Sequence, residues 1–279
     1  ALSQWAGIEE LDVPPLTITD DDRDDVTAIA RSVWQRYHRQ VNPAVLRVLR
    51  QKLLPDGSCA SGNPLWLTLA LEQLNLLDAD DFARAEREFT GSPAERQRAM
   101  LVDTAERMPP TVTELYAMLL AQSEKLFGAP AARAFAAVIA ASRFGWRETD
   151  LLALIPAAAR VLCPGESVVE MNDLRLAVLR RSFRAHLARR GTLSQLDFYH
   201  AQMRLAVEQR VLSDSSQRQA LHRTIADHLE SLPLGDSLRD SEIMVHLIVG
   251  DDDMRAARVY ADLPNPSLAL MGQPQLMAA

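Results

Sequence analysis

Apolar residues recur at helical spacing along most of this chain. The first clear run is Val26, Ile29, Ala30, Val33, Trp34 and Tyr37, which predicts a helix ending near Val41. Thr19 or Asp20, in the entry loop 14–22, is placed to cap it, with acidic residues at its positive end. Asn42-Pro43 punctuates the pattern, and a second helix follows over about 44–53. Residues 54–63 (LPDGSCASGN) are turn formers and predict a loop. A third helix over 64–76 then starts on Pro64, where a missing N–H costs nothing. Residues 77–97 are acidic and only loosely periodic, and an amphipathic helix runs from there to about Arg107. Pro109-Pro110 breaks the chain and marks a domain boundary near 108–112, followed by a helix over 111–127 that ends at Gly128.

The second half opens on an alanine-rich helix, 130–142, suited to close approach of its neighbours. Thr149-Asp150 caps a short helix, LLALI, and a strong helix over 172–190 is closed by Gly191. LSQLDFYH mixes apolar and aromatic residues as a short strand does. Helices follow at about 201–213, 215–231 and 238–262, and a loose tail closes the chain. Three helices and a short strand pair have the size and order of a winged helix. The expected fold class is therefore all-α: mainly helical, with a short β wing.

Composition narrows the function. The 279 residues suggest about two domains, and 48% apolar with 24% charged residues is enough for a real core. A net charge of −7 argues against a chain whose bulk wraps nucleic acid, but not against a local basic face. Cys59 and Cys163 form no CxxC pair, which disfavours a disulfide framework or a zinc site and fits a reducing, cytoplasmic setting. No apolar run reaches the length of a membrane span, and ALSQWAGIEELD is not patterned as a signal peptide. The absence of GxxxxGK[ST] means that the chain does not cradle a nucleotide's phosphates by that route. HExxH and GxSxG are missing too, so the chain is not expected to be an enzyme on its own. LIVGDDD at 247–253 imitates a strand ending in magnesium ligands, but SEIMVHLI before it reads equally as a helix closed by Gly250.

Three features carry candidate chemistry. Gly62-Asn63-Pro64 is either an ordinary helix start or a rigid edge that packs against a nucleotide base. The 170–190 segment carries six arginines, among them Arg175, Arg180, Arg181 and Arg184, against Glu170 and Asp173. It is a solvated or domain-facing basic stripe, or else a recognition helix that meets DNA phosphates. His200, between the strand and the next helix, either caps or packs there, or donates a ring N–H to a phosphate oxygen. His222 and His246 read as packing residues.

Taken in order, NPLWLTLALEQL, VIAASRFGWRETDLLALI, LDFYHAQMRLAVEQRVL, RQALHRTIADHLESLP and EIMVHLIVGDDDMRAARVYADL resemble the STAND-class signalling NTPases, in their nephrocystin-like and NACHT-like group. The resemblance covers most of residues 14–263. It implies a helical lid domain (1–110), a winged-helix domain (111–213) and the start of a helical repeat, superhelical region (214–279), all downstream of a P-loop domain that supplies Mg²⁺ for ATP or ADP. Gly62-Asn63-Pro64 resembles the lid's glycine-x-proline motif, with Pro64 against the base. Tyr199-His200-Ala201 resembles the methionine-histidine-aspartate motif, with His200 on the ADP β-phosphate. Tyr and Ala replace the outer two residues of that motif. The implied partners are the upstream P-loop domain, further copies of the same protein on activation, and a protein ligand sensed by the C-terminal helices. DNA and membrane are not among them. The alternatives are a winged-helix DNA-binding regulator and a nucleotide-free helical scaffold.

Overall fold

A computed structural model describes residues 14–19, 23–75, 79–168 and 170–262. The expectations for Asp20 as a cap, for the first residues of the chain and for the tail beyond 262 lie outside these residues. The protein is all-α with a short β wing: the described residues form thirteen α-helices and one two-stranded antiparallel sheet. No described helix is long and apolar enough to cross a membrane. The chain divides into two units, Ala1–Leu115 and Tyr116–Ala279.

In the first unit, α1 (Asp25–Gln35) is capped by Asp24, whose Oδ1 accepts from Thr27 N at 2.8 Å. Burial alone would raise the Asp24 pKa, but the Arg50 guanidinium (2.8 Å) and the N–H groups of Thr27 and Thr19 hold it at about 2. The helix stops six residues short of Val41. His38 takes a left-handed backbone (φ 53°), Arg39 Nη1 donates to Leu74 O (3.0 Å), and Tyr37 donates to Glu72 (2.6 Å), so tertiary bonds bend the chain where periodicity would continue it. Asn42 caps α2 (Pro43–Gln51), and a single turn of 3₁₀ helix over Ala60–Gly62 leads into α3 (Pro64–Asn75). Trp66, Leu67, Leu69, Ala70, Leu71 and Leu74 are all buried, which makes α3 the centre of this unit. The acidic stretch after it holds a helix of its own, α4 (Ala79–Glu88), before α5 (Pro93–Arg107) starts on a reciprocal Ser92–Glu95 capping box. The next helix, α6 (Val112–Phe127), carries the chain into the second unit.

There, α7 (Ala129–Ala141) is buried along nearly its whole length, and its alanines let α8 (Glu148–Leu162) approach closely. The expected short helix is fifteen residues long and runs through Pro156. Leu151, Leu154 and Ile155 before the proline, and Ala158, Ala159 and Leu162 after it, are all buried, which outweighs the roughly 3 kcal/mol that an interior proline costs.

The expected helix over 172–190 is also corrected. α9 (Asp173–Ser182) ends early because Phe183 and His186 turn inward and residues 187–190 pair as a strand. β1 (Leu187–Arg190) and β2 (Gln195–Phe198) register Leu187 with Phe198 and Arg190 with Gln195. An isolated bridge joins Trp146, between α7 and α8, to Leu196. In chain order this part runs helix, bridge, two helices and hairpin. α10 (Ala201–Arg210) follows, then α11 (Ser215–Ser231), which packs on α8 and α12 (Ser237–Val249), and α12 packs on α13 (Asp253–Asp262). The expected single helix over 238–262 breaks at Gly250, where Asp251 is left-handed (φ 58°) and Arg223 Nε donates to Gly250 O (2.6 Å). LIVGDDD is thus the end of one helix and the turn into the next.

Candidate functional site

Asn63 Oδ1 accepts from Leu65 N (2.9 Å) and Trp66 N (3.2 Å), so it serves as the cap of α3. The buried Gly62 faces the entry segment: its carbonyl accepts from Leu16 N (2.9 Å), and a Cβ on it would meet Pro15 at 3.4 Å. Its backbone is therefore covered. Pro64, in the first turn of α3, is exposed, and of the three residues its ring edge is the part open to solvent and uncommitted.

His200 sits at the N-cap of α10 but does not cap it; its ring lies edge-on to Tyr199 at 4.7 Å. The residue is half-buried, and that burial lowers its pKa, so the ring is neutral at pH 7 and one nitrogen donates. Behind it His186 is buried beside Tyr116, with ring centroids 5.4 Å apart. Burial, and secondarily the charge of His200, pushes the His186 pKa down to about 4. The Tyr116 hydroxyl is buried with no hydrogen-bond partner.

Sequence reasoning missed Asp197, the residue that fixes this corner. Its buried carboxylate pairs with Arg190 (2.9 Å) and Arg204, and burial raises its pKa against the pull of both arginines. Arg204 also donates to the carbonyls of Ile139 (3.1 Å), Ala140 (2.5 Å) and Ser142 (2.7 Å), placing a cation at the negative end of α7. One signal was available: a carboxylate within an apolar strand is too costly to bury unpaired.

The basic face is real, but divided. Arg175 is exposed and donates to Glu170 O (2.9 Å). Glu148 takes both Arg180 and Arg189, the latter at 2.6 Å. Arg181 and Arg184 are exposed, and with Arg180 and Arg189 they line a cavity of about 460 Å³ between α9 and the hairpin. Because α9 stops at Ser182, Arg184 lies in the turn and the stripe is not one helix face.

Elsewhere in this unit, polar groups tie elements together. Arg147 links Asp150 (2.6 Å) to Asp236 (2.8 Å), and His228 Nε2 meets Asp150 at 2.9 Å. The fully buried Glu242 accepts from Arg143 N (2.9 Å) and Phe144 N (2.8 Å). His222 and His246, both buried, share an Nδ1–Nδ1 contact of 3.0 Å. Among the described residues no group of three or more His, Cys, Asp or Glu side chains is placed to hold a metal ion.

The fold and these sites define an all-α chain with a wing, whose described polar clusters are mostly structural. Comparison with protein-family models, curated proteins and solved structures finds no match for it.

Proposed function

We propose that the chain is the lid and winged-helix module of a STAND-class signalling ATPase, working in the cytoplasm in bacterial signalling or antiviral defence. The observation that carries this is His200: a half-buried, neutral ring at the start of α10, left out of capping that helix. A helix N-terminus with free amide groups and a neighbouring imidazole donor suits a phosphate. The exposed ring of Pro64 suits the face of a base. An upstream P-loop domain supplies the phosphate cradle and Mg²⁺. ADP contacts favour a closed monomer, and exchange for ATP releases a state competent to self-associate. The nucleotide shifts this equilibrium only by its difference in affinity for the two states. A protein ligand sensed by the C-terminal helices biases the same switch.

A charged hydrogen bond to phosphate contributes about 1.5–3 kcal/mol, enough to change a two-state ratio roughly ten- to a hundred-fold. In the full-length protein His200→Ala is therefore expected to speed ADP release and enrich the oligomer, with little change in melting temperature. Unchanged ADP release beside a large drop in melting temperature would make His200 a packing residue. By itself the chain is expected to bind neither ATP nor ADP with sub-micromolar affinity in calorimetric titration, and to hydrolyse neither. Tight binding or turnover that survives repeated purification would sink the proposal.

The arginines around the α9 cavity favour a second reading, a DNA-binding regulator. Glu148 already engages two of them and the chain carries a net charge of −7, so only weak, non-specific association with duplex DNA is expected at physiological salt. Gel-shift titration checks this. Nanomolar, sequence-selective binding lost in Arg180→Ala/Arg184→Ala would reverse the preference.

A further inference from the structure

The cavity of about 740 Å³ between α1 and α2 belongs to the first unit and is not lined by Gly62, Asn63 or Pro64. Its walls follow from helical spacing. Thr27, Arg31 and Gln35 recur every fourth residue on α1, and Pro43, Leu46, Arg47, Arg50 and Gln51 share one face of α2. The turn between them adds Arg39 above an apolar floor that includes Val41.

Four arginines and three glutamines line this space, and no described lining residue is a carboxylate, in a chain with more acidic than basic residues. Arg50 is committed to Asp24. Arg39 uses Nη1 on Leu74 O and Asn75 Oδ1 at the end of α3, and no carboxylate pairs with it among the described residues. Arg31 and Arg47 are exposed and make no hydrogen bond or ion pair among the described residues. Three guanidinium charges thus converge on one concave space from two helices and a turn, with an apolar patch beside them. Guanidinium groups fork onto phosphate oxygens, and the volume suits a ligand larger than a single phosphate.

We propose that this cleft binds a small oligophosphate, a molecule carrying two or three linked phosphate groups, with Arg31, Arg39 and Arg47 on its oxygens. Val41 and the exposed Pro43 take any organic body attached to it. The site stands apart from the contacts proposed for Pro64 and His200 and does not depend on them.

The test is calorimetric titration of the whole chain with inorganic tripolyphosphate and, separately, with ADP. Tripolyphosphate is expected to bind in the micromolar range. Arg31→Ala/Arg47→Ala should weaken it at least about ten-fold, while Arg181→Ala/Arg184→Ala leaves it unchanged. Both altered arginines are exposed, so an unchanged melting temperature is expected and separates lost binding from lost folding. Tighter binding of ADP than of tripolyphosphate, lost in the same variant, would support the site and assign it a nucleotide; the reverse order would assign the inorganic form. No tripolyphosphate binding at millimolar concentration, or equal weakening by both arginine pairs, would overturn the proposal. Loss of ADP binding in His200→Ala alone would count against this cleft and for the other site.

Discussion

Gly145→Ala is expected to destabilise the second unit by on the order of 3–4 kcal/mol and lower its melting temperature by about 10 °C. Gly145 has φ 85°, a backbone that L side chains rarely adopt, and a Cβ on it would lie 2.4 Å from Leu196 O and 3.0 Å from Asp197 Cβ. The first of these is a backbone atom that cannot swing aside. Relieving the clash opens the Trp146–Leu196 bridge, whose two bonds are 3.0 and 2.8 Å, and disturbs the seat of buried Asp197. Gly165→Ala separates strain from collision: φ is 86°, but nothing lies within 4 Å of its added Cβ, so about 1–2 kcal/mol is expected. Thermal unfolding followed by circular dichroism compares the two. Equal, small losses would mean that the hairpin is not held through this close approach.

The second large effect is a loss of stability as pH falls from about 6.5 toward 4. His186 keeps its proton off until about pH 4 because of burial, whereas the unfolded chain takes one near 6.5. In that window the unfolded state holds more protons, so unfolding becomes easier with acid, at up to roughly 1.4 kcal/mol per pH unit. For His186 alone the loss accumulates to about 3 kcal/mol at the lower end. His222 adds in the same direction: burial first, then the charges of His246 and Arg218, depress its pKa. Asp24 adds nothing above about pH 5, where a carboxylate held at about 2 and released to 3.8 is ionised in both states; between about pH 5 and 4 it begins to add a little in the same direction. Urea unfolding at several pH values is the measurement, with His186→Phe as the probe. The variant keeps a ring edge-on to Tyr116 and should lose about half of the acid sensitivity. A wild-type-minus-variant difference that does not change with pH would exclude His186 as a source.

The local settings of Asn63-Pro64 and His200 are legible along the chain. Asn63-Pro64 reads as a helix start because an Asn cap and a first-turn proline are local devices, and both sit there. His200 was placed at a strand-to-helix junction from neighbouring residues alone, and that junction is found. Asp197, Arg204 and His186 were not legible as a group. They come from β2, α10 and the turn before β1, and only the packed hairpin brings them near α7. The α9 arginines were found as residues but misplaced as a surface, because a helical period cannot show that Phe183 and His186 will be pulled into the core.

The sequence by itself determined most of the elements: helix-forming composition, caps, prolines and glycines act within a few residues, so the fold class, most of the helices and the second strand of the wing follow from local chemistry. Tertiary structure decided where those elements end and which charges are spent. α1 stops early where Arg39 and Tyr37 bond to α3, α8 outruns its proline through burial, and residues 187–190 leave a helix for a strand pairing. It also decided that Glu148 occupies Arg180 and Arg189 while Arg31 and Arg47 stay open on one concave face. Burial energy and long-range ion pairs couple residues distant in the chain, and no pattern read along that chain contains them.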